Sequence, residues 1–164
     1  MQLMASLRQL SAAAASHGVQ HALAHWRTPA RTTPSVRRGA TIVAHENTRL
    51  WMATPVWIPA EDRYRPPRPK AAHPNKTFCT DGSMNAGGER IDYGYLIEAH
   101  TSGDIYVFFR DSNVLAVGDV ASPARDPELD YFTGAWLGGR VDAMNRLAGA
   151  QRRHARGSCP ATAR

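Results

Sequence analysis

The sequence predicts an α/β (α+β) chain, and three observations carry that prediction. Short runs of β-branched and aromatic residues separated by turn residues occupy positions 89–119. Apolar residues at helical spacing open the chain and recur after Gly138-Gly139. Between them, Pro55, Pro59, Pro66, Pro67, Pro69 and Pro74 exclude a helix from residues 55–76 and predict an extended connection. At 164 residues and 43% hydrophobic, the chain has material for one core, and 13 Gly with 11 Pro excludes collagen-like or wholly disordered classes.

Taken in order, Leu3, Leu7 and Leu10 predict a helix over residues 3–16, stopped by Gly18, with a short strand from Val19 to Ala24. Ala22-Leu23-Ala24 also fits a signal-peptide cleavage site. Arg8 and Gln9 break its apolar stretch, so a cytoplasmic location is expected ahead of a secreted or periplasmic one. Residues 28–38 have no period and are expected to be irregular. Thr41-Ile-Val-Ala44 is a strand. Ile91–Ala99 is a strand interrupted by Gly94, and Asp104–Phe109 is a second. Arg110-Asp-Ser-Asn113 is a turn into a third strand, Val114–Val117, which ends at Gly118-Asp119. The closing helix is expected to bury Val141, Met144, Leu147 and Ala148. Three segments follow: 1–38, a helix and irregular stretch; 39–150, the folded half; and 151–164, a basic tail expected to be disordered.

The net charge of +6 is not a property of the folded part. Residues 1–38 and 152–164 carry nine arginines and no acid, which leaves −3 for everything between. A nucleic-acid interface needs its basic stripe on the folded surface, so nucleic acid is not the expected partner, although a basic-tailed binding protein stays as an alternative. No apolar run approaches the roughly 18–20 residues that cross a bilayer, so no membrane partner is expected. Cys79 and Cys159 have no metal-ligand spacing and read as free thiols. The tryptophans Trp26, Trp51, Trp57 and Trp136 read as packing residues, and His45 as structural at the start of a helix.

His100-Thr-Ser-Gly-Asp104 lies between two strands, and Asp119 ends the following hairpin. Imidazole and carboxylate both ligate zinc, and strand ends hold ligands rigidly while leaving a position for water. Asp104, four residues after His100, is placed to hydrogen-bond that imidazole or its loop.

The run Ala99-His-Thr-Ser-Gly-Asp-Ile-Tyr-Val-Phe-Phe109, then Asn113-Val-Leu-Ala-Val-Gly-Asp119, then Gly138-Gly139 resembles the second half of the metallo-β-lactamase superfamily, and the likeness extends upstream through Gly39–Arg49. The resemblance implies a partial αββα sandwich. It also implies zinc, one or two ions, with His100 as ligand and Asp119 as both ligand and catalytic group. The chemistry implied is hydrolysis of an ester, thioester, lactone or amide bond in a small-molecule substrate, by a metal-activated water of lowered pKa. The superfamily's main motif, His-x-His-x-Asp-His, is not found. His25 is the one match, with Arg27 where the second histidine belongs, and a guanidinium cannot ligate zinc. The final ligand segment, Pro-Gly-His-Gly-Pro, is missing after Leu147, yet if Cys159–Arg164 is written in GC-rich codons such as TGC CCG GCC ACG GCC CG, a shifted frame encodes it. Residues from about 151 onward, and 28–38, are therefore expected to be out of frame, which the nucleotide sequence checks. The expectation is a site incomplete in this chain, with a catalytically inactive member of the same fold as the alternative. The opening strands that precede the main motif in the superfamily are also not found before His25, and their absence would leave a sheet edge open to self-association.

Overall fold

The computed structural model describes residues 17–19, 41–121 and 128–157, with the side chains of 41–121 and 128–149. The expected helix over 3–16, His25, residues 28–38 and Cys159–Arg164 lie outside the described residues.

The strand Thr41–His45 (β2) forms where expected, because Ile42, Val43 and Ala44 give a buried β-branched centre. It pairs in parallel with His17–Val19 (β1) on one side and Lys76–Phe78 (β5) on the other. The described N-terminal strand, His17–Val19, meets the expected one at Val19 and belongs to the same sheet as β2, while the rest of the expected strand, residues 20–24, lies outside the described residues. Helix Glu46–Ala53 (α1) follows β2 without a loop.

Residues 55–76 are more ordered than an extended connection. Val56–Ile58 (β3) and Arg63–Arg65 (β4) form an antiparallel hairpin. Pro59 opens the 3₁₀ turn between them, and Asp62 closes it in the left-handed region at φ 48°. Proline bars a helix interior but suits the first position of such a turn.

The second sheet runs β6-β7-β8-β9, all antiparallel: Asp81–Ala86, Glu89–Tyr95, Ile105–Phe109 and Val114–Ala116. Three of these match the expected strands. The edge strand β6 was not foreseen, since Asp-Gly-Ser-Met-Asn-Ala shows little apolar pattern. Its signal is Gly87-Gly88, both at positive φ, a two-residue hairpin turn that carries β6 onto β7. Gly94 does not interrupt β7. It stays in register between Asp81 and Tyr106, where a Cβ would collide with both side chains.

The two sheets face each other across a core of Val43, Ile91, Tyr93, Ile105 and Val107. On the other side of the second sheet, Leu96, Ala99 and Val120 meet Ala143 and Leu147 of helix Leu137–Gly157 (α2), with Tyr106 and Leu115 against them. Strand β8 serves both layers by alternation, sending Ile105 and Val107 inward and Tyr106 toward the helix. The face that α2 buries shares Leu147 with the expected one and otherwise differs. Gly139, Ala143 and Leu147 are covered, whereas Val141 is 53% and Met144 45% exposed. The reason is steric: a Cβ on Gly139 would lie 2.6 Å from the Glu98 carbonyl oxygen, so small residues set how closely the helix approaches. Helix α2 also continues to Gly157, into the arginine-rich stretch.

Candidate functional site

Strand directions bring the two predicted ligands to one end of the second sheet. Tyr95 at the close of β7 pairs with Ile105 at the start of β8, so the loop between them, with His100, caps that end. Strand β9 runs antiparallel to β8 with Ala116 opposite Val107, and therefore delivers Gly118-Asp119 to the same end. Val120, next in the chain to Asp119, packs with Ala99, next to His100. Asp119 is exposed in a 3₁₀ turn.

The His100 loop is held from within by Asp104, which has no solvent exposure. Its Oδ2 accepts the backbone N–H groups of His100 at 2.5 Å and Thr101 at 2.7 Å, and its Oδ1 accepts the Thr101 hydroxyl at 2.8 Å. Of the two roles expected for Asp104, the structure therefore gives it the loop backbone. Burial pushes the Asp104 carboxyl above its ordinary range, and the hydrogen bonds from Thr101 and His100 pull against that shift. The imidazole of His100 is left uncommitted at Nδ1, a buried nitrogen with no hydrogen-bond partner.

From outside, the loop is held by α1 and β7, residues that no sequence motif marked. Asn47 Nδ2 and the Tyr95 hydroxyl both donate to the Ser102 carbonyl, at 2.7 and 3.1 Å. Trp51 Nε1 donates to Ser102 Oγ at 3.0 Å, and Thr48 Oγ1 to the Gly103 carbonyl at 3.4 Å. Trp51 is thus a fixing residue of this loop rather than a core residue. On the far side, Asp130 N–H donates to the His100 carbonyl and Ser102 N–H to the Thr133 carbonyl.

His45 starts this scaffold, and its expected structural role is what the geometry shows. Its Nδ1 accepts the Asn47 N–H at 3.2 Å and caps α1, which leaves Nε2 to donate to the Cys79 carbonyl at 3.0 Å. The ring lies flat on Tyr95 at 3.7 Å. That pattern fixes the neutral tautomer, since a proton on Nδ1 would face the Asn47 N–H. Burial holds the His45 pKa below 6.5, against the Cys79 carbonyl and Glu46, which act to raise it. A histidine with a lowered folded pKa contributes stability that is intact above the unfolded value and drains away as pH falls through the folded one. Urea midpoints measured at pH 7.5 and pH 5.0 are expected to drop on acidification in the wild type. His45→Gln, which cannot titrate, shows a smaller drop, and an equal drop in both would remove His45 from the account.

A catalytic zinc takes about three protein donors plus water. His100 fits that use through its uncommitted nitrogen, and Asp119 through its exposure. No third partner joins them: among the described residues no group of three or more His, Cys, Asp or Glu could hold a metal. His45 is spent on the α1 cap and Cys79, and His73 Nε2 on the Arg68 carbonyl at 2.9 Å. His25 lies outside the described residues. The described residues by themselves therefore do not make up a catalytic zinc site. Among them, no helix is long and apolar enough to cross a membrane.

No family model matches the sequence, and a search of curated proteins finds no match. Solved structures do match. The chain superposes on the metallo-β-lactamase from Pontibacter korlensis with TM-score 0.68 at 18% identity, covering 93% of this chain and 64% of that one. The crystal structure of metallo-β-lactamase IND-7 gives TM-score 0.67 at 17% identity, covering 93% of this chain and 63% of that one. The chain thus spans just under two thirds of the length of these neighbours. Two packed sheets, a helix over the outer face of the second, and a His loop and Asp strand end at one sheet end are, with these superpositions, a metallo-β-lactamase-like α/β fold.

Proposed function

We propose that this protein is a metallo-β-lactamase-like, zinc-dependent hydrolase of an ester, thioester, lactone or amide bond, with its metal site incomplete in this chain. His100 and Asp119 are its donors, with His25 from the N-terminal segment as the further one. The observation that carries this reading is the delivery of His100 and Asp119 to one end of the β6–β9 sheet, with His100 Nδ1 buried and unclaimed. Only His100 and Asp119 of these donors fall among the described residues, and two donors hold zinc weakly, so turnover by the chain alone is expected to be low.

Zinc titration of the metal-free chain, read by competition with a chromophoric chelator, tests it. One zinc per chain is expected, with affinity falling at least tenfold in both His100→Ala and Asp119→Ala. Affinity unchanged in either variant overturns that residue's assignment. A second reading, a catalytically inactive protein of the same fold, draws on the lack of any three-donor cluster among the described residues. Its result is no stoichiometric zinc and no turnover of generic ester or lactam substrates.

A further inference from the structure

The turn beside His100 presents aromatic side chains to solvent on a rigid frame. Tyr131–Thr133 is a 3₁₀ turn, with Tyr131 70% and Phe132 48% exposed. Loop tips that face water are usually polar and loosely tied, whereas this one carries two aromatic rings and is tied by hydrogen bonds. Asp130 caps it through Oδ1 to Thr133 N–H, Thr133 Oγ1 donates back to the Asp130 carbonyl, and Gly134 ends it at φ 98°. Two backbone bonds then fasten it to the candidate ligand loop, at the His100 carbonyl and the Ser102 N–H. The Phe132 ring stands 5.9 Å from Trp51, which is itself bonded to Ser102. Exposed aromatic area held in place costs hydration free energy with no gain to the core, and fixed aromatic surface next to convergent polar groups is the usual composition of a small-molecule site.

We propose that Tyr131 and Phe132, backed by Trp51, form a platform for the apolar, aryl or extended alkyl, portion of the ligand whose polar end lies at His100. This rests on the reading above for the position of the polar end. The apolar surface itself needs no metal, which allows the two to be tested apart. In metal-free protein, calorimetric titration with 4-phenylbutyrate and with acetate is expected to show at least tenfold tighter binding of the aryl acid. Tyr131→Ala/Phe132→Ala brings the two acids to within about twofold, while Phe132→Leu keeps most of the preference because it keeps apolar area. Should the double variant fail to fold by circular dichroism, Tyr131→Ser at the most exposed ring decides by the same measurement. No preference in the wild type, or a preference that survives these changes, overturns the platform. A chain that binds no zinc yet keeps the preference supports the platform while failing the metal reading.

Discussion

Asp104→Ala is expected to destabilise the protein by roughly 3–5 kcal/mol, because it strands three donors inside the fold. The carboxylate is fully buried and takes the N–H groups of His100 and Thr101 and the Thr101 hydroxyl. Each buried donor left without an acceptor costs about 1–3 kcal/mol, a large share of the roughly 5–15 kcal/mol that holds a domain together. The Thr101 hydroxyl also accepts from Gly103 N–H at 3.2 Å, so losing its own acceptor loosens a further bond of the loop. Asp104→Asn falls between, keeping one acceptor oxygen while its amide meets donors. Urea denaturation gives the stabilities, and amide hydrogen exchange at His100 and Thr101 is expected to quicken more than in β7 or β8. A loss below about 1 kcal/mol in Asp104→Ala would show that the loop does not depend on this carboxylate.

Gly139→Ala and Gly149→Ala should move stability in opposite directions although both glycines lie in α2. On helix propensity alone each change gains about 1 kcal/mol. At Gly149 a Cβ meets nothing within 4 Å, so that gain is expected in full. At Gly139 a Cβ would fall 2.6 Å from the Glu98 carbonyl oxygen and 2.7 Å from that of Ile97. These are backbone atoms, which cannot rotate aside, so α2 must back away from Leu96 and Ala99. Overpacking of this kind costs about 1–3 kcal/mol, and the retreat loosens Leu96, which has no exposure, in the segment leading to His100. Net destabilisation at Gly139 beside stabilisation at Gly149 in thermal melts is the expected result. Equal gains at both would mean that the helix does not approach as closely as described.

Where side-chain chemistry and backbone preference agreed, the sequence was enough. Thr41–His45 and Ile105–Phe109 are apolar and β-branched or aromatic, and they are strands at the expected places. The His100 loop, Asp119 at a strand end and the helix after Gly138-Gly139 were legible for the same reason, and so was their likeness to the metallo-β-lactamase fold that superposition bears out. Sequence reasoning failed where geometry between distant segments decides. β6 forms because a Gly-Gly turn folds an unpatterned segment onto β7, and the buried face of α2 follows its smallest residues because backbone approach, not hydrophobic area, limits the contact. Residue types and local spacing thus determined which groups could ligate a metal. Only the tertiary structure decided that Asp104 serves the loop backbone rather than the imidazole, that the structural role of His45 occupies both its ring nitrogens, and that Trp51 holds Ser102 with Phe132 against it. The Asp104 bonds and the His45 cap join residues two to four positions apart, so spacing allowed them and packing chose among the partners, whereas the Trp51 and Phe132 contacts join separate elements and are set by packing alone.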